Sequence, residues 1–111
     1  MFALEWCEFC WSVRRLFSAA GIEYRSVDLD SADYRKGDRG SELRKALAQM
    51  TGAVTIPQVF VGGAHIGGAT ETFDAFNNGA LHRRLGRLGI DLAPASIPNA
   101  YAFLPTWLHP R

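Results

Sequence analysis

The 111-residue sequence has little cysteine, only Cys7 and Cys10, and its three histidines, His65, His82 and His109, are scattered. Two thiols exclude a disulfide-stapled scaffold. A structural zinc site wants four ligands, and no second C-x-x-C or closely spaced His pair completes one. Charge of one sign is also lacking. Twelve Lys and Arg against eleven Asp and Glu leave a formal net charge of +1, so no bulk attraction to nucleic acid or an anionic membrane is indicated. Apolar runs are far short of a membrane span. No basic segment followed by a long apolar one marks the N-terminus as a secretory leader. With 48% hydrophobic and 21% charged residues, the composition is that of one soluble globular domain with a single core. A reducing cytoplasm suits a dithiol that exchanges, and that is the expected location.

Against this background stands Trp6-Cys7-Glu8-Phe9-Cys10-Trp11, which holds both cysteines. A short apolar run, Phe2-Ala3-Leu4, precedes it, and a helix-like run from Ser12 to Ala20 follows and stops at Gly21. The pair therefore sits at a strand-to-helix junction. The free N–H groups and partial positive charge of a helix start favour a thiolate on the first sulfur. The thiolate is the nucleophile, and a second cysteine one turn on can close a disulfide with it. C-x-x-C beside a βαβ pattern points to redox chemistry rather than to metal.

The rest of the chain supplies that pattern. Strands are expected over Phe2–Glu5, Tyr24–Leu29, Gln58–Val61 and Ala64–Ile66, the last two joined by the turn-forming pair Gly62-Gly63. Helices are expected over Phe9–Ala20, Ser41–Met50, Thr70–Asn78 and Ala80–Leu88. Leu43, Ala46, Leu47 and Met50 share one face of the second helix. Thr70 is the expected N-cap of the third. Asp30–Gly40 reads as a long polar loop. The order β-α-β-α-β-β-α predicts an α/β fold with a four-stranded mixed sheet covered by helices on both faces. Two regions follow: a domain over residues 1–90, and an extension over 91–111 rich in proline and aromatics. The extension carries Tyr101, Phe103, Trp107 and Leu108. It is too apolar for a disordered linker. It is expected either to pack on the domain as a lid over core or to dock a partner.

Three further segments bear on the cysteines. In Thr55-Ile56-Pro57, the proline has no N–H to start a ladder and leaves the Ile56 backbone free to pair elsewhere. In Gly67-Gly68-Ala69-Thr70-Glu71, paired glycines allow close backbone approach, and the helix start offers N–H groups to a carboxylate. Arg14, Arg15 and Arg44 are candidate cations.

The ordered motifs C-x-x-C with an aromatic before the second cysteine, Thr51-Gly52-Ala53-Val54-Thr55-Ile56-Pro57-Gln58-Val59-Phe60-Val61, and His65-Ile66-Gly67-Gly68 together resemble the glutaredoxin family over about Phe2 to Leu88. The resemblance implies a thioredoxin-like fold and glutathione-dependent thiol–disulfide exchange. It implies Cys7 as nucleophile and Cys10 as resolving thiol. It implies a glutathione site made of Phe9, Arg14, Arg44, Thr55, Ile56, Pro57, Gly68, Thr70 and Glu71. In that site Phe9 lies beside glutathione. The Ile56 backbone, ahead of a cis Pro57, pairs with the cysteinyl unit. Arg44 meets the glycine carboxylate, Arg14 falls where many members carry Lys, and Thr70 and Glu71 hold the γ-glutamyl end. The chain departs from the family pattern at Glu8, where proline is common, at Glu71, usually Asp, and in its extra tail. An anionic Glu8 beside Cys7 disfavours a second negative charge there.

Glutathione is accordingly the expected co-substrate, with no metal or flavin required. The expected partners are disulfide-bearing or glutathionylated proteins, not nucleic acid or membrane, and the chain is expected to act as a monomer. Two alternatives stand beside this reading. One is a thioredoxin-like reductase working by direct dithiol exchange, toward which Trp6 leans. The other is a dimeric carrier of a [2Fe–2S] cluster held by Cys7 and glutathione from each of two copies.

Overall fold

The computed structural model describes residues 1–5, 7–53, 55–90 and 97–104. Expectations that rest on Trp6, Val54, Trp107 and Leu108 lie outside these residues. The elements, in order, are β1 (Phe2–Ala3), α1 (Glu8–Ala20), β2 (Val27–Asp28), α2 (Ala32–Arg35), a 3-10 turn (Lys36–Asp38), α3 (Arg39–Thr51), β3 (Val59–Val61), β4 (Ala64–Gly67), α4 (Ala69–Asn77), α5 (Ala80–Arg87) and a second 3-10 turn (Ala100–Phe103).

β1 and β2 pair in parallel, Phe2 with Val27 and Ala3 with Asp28. β3 and β4 form an antiparallel hairpin. Its turn is Gly62-Gly63, both at positive φ (57° and 82°), the backbone that matches the twist of two flanking strands. One antiparallel bridge joins the two ladders. Phe2 N–H donates to the Gln58 carbonyl at 2.8 Å and Gln58 N–H to the Phe2 carbonyl at 2.9 Å. The four strands thus run in the order β2-β1-β3-β4 with mixed direction, as the sequence predicts, although the first three are shorter than expected and β4 runs one residue longer, to Gly67.

α1 carries Val13, Leu16, Phe17 and Ala20 at helical spacing, and all four are buried. They meet Val59 of β3, Phe73 and Phe76 of α4, and Leu81 and Leu85 of α5, in one core. Gly21 ends α1 in the left-handed region (φ 69°), and Ile22 N–H closes back on the Phe17 carbonyl at 2.8 Å.

Three expectations are corrected. Asp30–Gly40 is not a bare loop, because it folds into α2 and a 3-10 turn ahead of α3. Arg35 Nε bonds the Asp30 carbonyl at 2.8 Å, which closes that segment on itself. Thr70 is not the cap of α4; Gly68 is, and Thr70 lies inside the first turn. On α3, Leu47 is buried but Leu43 is 37% and Met50 72% exposed. The buried stripe is set by Gly40 and Leu47 instead. A Cβ on Gly40 would run into the Leu29 carbonyl oxygen, so the missing side chain lets the helix backbone press against the end of β2. That contact rotates α3 away from its most apolar face.

Part of the C-terminal segment lies across α1 and α4. Ala100 is fully buried in the core. Its N–H donates to Asn77 Oδ1 at 2.8 Å, and Tyr101 Oη donates to Asp74 Oδ1 at 2.7 Å. The Tyr101 ring meets Phe73 edge-on at 5.1 Å.

Candidate active site

The sequence turns from strand to helix at Cys7. Its backbone is extended (φ −149°, ψ 125°), and its carbonyl accepts the first helical hydrogen bond from Trp11 N–H at 2.9 Å. Cys7 is therefore the N-cap of α1, next to first-turn N–H groups that have no intrahelical partner. The thiol is half-buried, and Sγ lies 4.0 Å from the carbonyl oxygen of Ile56.

Cys10, one turn on, faces inward and is fully buried. Burial pushes its thiol up to about 12, the neighbouring Cys7 adds to the rise, and the Leu4 backbone and Arg14 oppose it. Both cysteines are thiols in this structure. The two positions are chemically unequal: one sulfur is reachable at a helix start, the other is sealed and held neutral.

Beside Cys7 runs a groove of about 370 Å³, lined by Phe9 of α1, by Thr55, Ile56 and Pro57, and by Gly68, Ala69, Thr70 and Glu71. The Ile56–Pro57 peptide is cis. Two glycines let α4 start close to that loop. Gly67 adopts φ 129°, and a Cβ there would lie 2.7 Å from Glu71 Cβ. A Cβ on Gly68 would lie 3.3 Å from the Pro57 carbonyl oxygen. The groove thus ends at a helix N-terminus, suited to an anionic group, with the Glu71 side chain alongside.

Seven of the nine residues that the resemblance assigns to glutathione are brought together here: Phe9, Thr55, Ile56, Pro57, Gly68, Thr70 and Glu71. The two arginines are not among the lining residues. Arg14 points from α1 to the β1–β2 edge, where its guanidinium pairs with Asp28 at 2.7 Å and donates to the Leu4 carbonyl at 3.2 Å. Arg44 is exposed on α3. The sequence does not single out Ala69, which lines the groove, nor Gln58, a polar residue buried inside the apolar run Val59-Phe60-Val61 that it introduces. A polar side chain in an apolar strand is the signal that marks Gln58. Among the described residues, no three His, Cys, Asp or Glu side chains stand together as a metal-binding group. A cluster shared by two copies through Cys7 would draw its remaining ligands from outside the chain.

Comparison with known proteins agrees with this geometry. The glutaredoxin family model matches residues 1–66. The chain is 36% identical over 92 residues to monothiol glutaredoxin-S10 of Oryza sativa subsp. japonica, covering 83% of this chain and 54% of that protein, so it spans about half that relative's length. It is 40% identical over 81 residues to a glutaredoxin of Ricinus communis, covering 73% of this chain and 74% of that protein. In structure it resembles the buckwheat glutaredoxin–glutathione complex with a TM-score of 0.72 and 33% identity, over 81% of this chain and 77% of that one. The fold is thioredoxin-like, its cysteines have the dithiol C-x-x-C spacing, and a role in thiol redox chemistry follows. The chain belongs to the glutaredoxin family.

Proposed function

We propose that the protein reduces glutathionylated proteins and low-molecular-weight disulfides through Cys7, with glutathione as co-substrate. The observation that carries this reading is the position of Cys7: a half-buried thiol at a helix N-cap, 4.0 Å from the carbonyl of Ile56, a residue that lines the groove. Glutathione is favoured over direct dithiol exchange by that groove, which offers backbone beside the sulfur and a helix start for a carboxylate. The likeness to a glutaredoxin solved with glutathione supports the same choice.

In the reaction, the Cys7 thiolate attacks the glutathione sulfur of a mixed disulfide. A new bond forms to Cys7 Sγ, the bond between the two substrate sulfurs breaks, and the departing protein thiolate takes up a proton. A second glutathione thiolate then attacks the bound glutathione sulfur. It leaves as glutathione disulfide, and Cys7 returns as thiolate. The net exchange consumes one glutathione thiol and the glutathionylated protein and gives the protein thiol and glutathione disulfide, with the glutathione proton ending on the protein thiol. Cys10 can resolve the same intermediate by attacking Cys7 Sγ and releasing glutathione. That route starts from a buried thiol whose proton burial holds in place, which favours resolution by glutathione.

The test is turnover of a glutathionylated peptide with glutathione, glutathione reductase and NADPH, against the same assay with thioredoxin reductase as electron source. Turnover is expected in the first and not in the second. The reverse pattern would make the protein a direct dithiol reductase.

A further inference from the structure

The peptide that faces Cys7 is held from behind by a side chain the mechanism does not use. Gln58 follows the Ile56–Pro57 cis peptide, and its side chain is 1% exposed. Its Nε2 donates to the Thr55 carbonyl at 2.8 Å and to Thr55 Oγ1 at 3.2 Å. Its Oε1 lies 2.6 Å from His65 Nε2. A carbonyl oxygen can only accept, so the Thr55 carbonyl fixes which end of the carboxamide is nitrogen. The other end, Oε1, must then accept, and His65 Nε2 must carry the proton. The His65 ring is itself set against Phe60 at 5.0 Å on the neighbouring strand. Every polar atom of the buried carboxamide is engaged, which is what keeps such a group from costing stability.

The grip has a consequence at the groove. The cis bond of this loop is Ile56–Pro57, and the Thr55–Ile56 peptide is trans. In a trans peptide the C=O and the following N–H point in opposite directions. Gln58 draws the Thr55 carbonyl inward, so the Ile56 N–H is turned outward. Among the described residues no acceptor takes that N–H. The Ile56 carbonyl meanwhile faces Cys7 Sγ.

We infer that Gln58 is a positioning residue: its carboxamide, oriented by His65, pulls the Thr55 carbonyl inward and so aims the Ile56 N–H into the groove for the backbone of a disulfide substrate. The inference rests on the glutathione-exchange reading above. It predicts that the grip matters for binding glutathionylated substrate and not for the intrinsic reactivity of Cys7.

The experiment compares wild type, Gln58→Glu, His65→Leu and His65→Gln. Glu keeps the shape of Gln58 and its contact with His65 but has no proton to give the Thr55 carbonyl. Gln58→Glu should raise KM for a glutathionylated peptide about tenfold, the scale of one lost hydrogen bond, with kcat at saturation nearly unchanged. His65→Leu should raise KM by less, and His65→Gln, which can still donate to Oε1, should return it toward wild type. The rate of Cys7 alkylation by iodoacetamide, which needs no backbone pairing, should stay at the wild-type value in all four. Because Gln58→Glu places a carboxylate in the core and can fail to fold, nitrogen-15 NMR of wild-type His65 supplies an independent reading, with the neutral ring expected as the Nε2–H tautomer. Wild-type KM in Gln58→Glu, or an Nδ1–H tautomer, would overturn the inference. Absence of turnover by the wild type would instead overturn the functional reading beneath it.

Discussion

Cys7 Sγ and the Ile56 carbonyl oxygen stand 4.0 Å apart although 49 positions separate them in the chain. The bridge between Phe2 and Gln58 makes this approach: it ties the strand leading to Cys7 to the strand leaving Pro57. Sheet pairing therefore brings the segments that carry the nucleophile and the backbone beside it together.

The two cysteines should separate by mutation. Cys7→Ser is expected to abolish exchange with every disulfide. Cys10→Ser is expected to keep reduction of glutathionylated peptide and to lose formation of the internal disulfide. The reason is positional, since Cys10 is fully buried and Cys7 is reachable. Single-turnover assays with a glutathionylated peptide check both, and activity in Cys7→Ser would remove the assignment.

Alkaline pH should act on stability with a definite sign. Burial pushes Cys10 from an ordinary 9.0 up to about 12, so the folded chain keeps a proton that the unfolded chain gives up. That contribution is fully present below about 9 and is lost as pH climbs from about 9 toward 12. Tyr101 acts in the same sense from 10.0 to about 12, chiefly because its hydroxyl donates to Asp74. Urea unfolding at pH 8 and pH 10.5 should show a drop in the wild type. The drop should be smaller in Cys10→Ser and in Tyr101→Phe. Tyr101→Phe should also lose about 0.5 kcal/mol at pH 8, as expected for one hydrogen bond at the surface.

Much of this was legible in the sequence where a rule is local. Gly21 closing α1, Gly62-Gly63 turning the hairpin and the helix start at Cys7 all follow from near neighbours in the chain. What was not legible depends on absences and on register. Gly40 steers α3 by lacking a side chain, so a count of apolar side chains picks the wrong face. The pairing of Gln58 with His65 sits beside an irregularity in the hairpin, where Val59 opposes Gly67 rather than Ile66 while Phe60 opposes His65. Arg14 reads as a cation for a ligand, and only the parallel pairing of β1 with β2 reveals Asp28 as its partner.

Arg14 should accordingly be a stability residue. Its guanidinium is engaged by Asp28 and by the Leu4 carbonyl, and Asp28 also accepts from Ser26 Oγ at 2.8 Å. Arg14→Ala is expected to cost about 1–2 kcal/mol, the range for a charge-assisted hydrogen bond in a partly buried site. KM for glutathionylated peptide should move less than twofold, taken as the roughly 0.4 kcal/mol resolution of such a comparison. Chemical denaturation and steady-state kinetics read the two effects separately, and a large KM rise with unchanged stability would return Arg14 to the substrate site.

The two glycines before α4 should respond to alanine in opposite ways. Gly67 lies at φ 129°, where a Cβ is strained, and that Cβ would come within 2.7 Å of Glu71 Cβ. Gly67→Ala is expected to cost about 1–3 kcal/mol of stability. Gly68 has φ −85°, which any residue adopts, so its backbone is not the obstacle. Its Cβ would instead sit 3.3 Å from the Pro57 carbonyl oxygen and 3.5 Å from Glu71 Oε2, on the groove itself. Gly68→Ala should leave the melting transition within a few degrees of wild type, equivalent to about 0.5 kcal/mol, while raising KM for glutathionylated peptide several-fold. Equal stability losses in the two variants would mean that Gly68 serves the fold, and unchanged KM in Gly68→Ala would mean that the substrate does not enter between Pro57 and the start of α4.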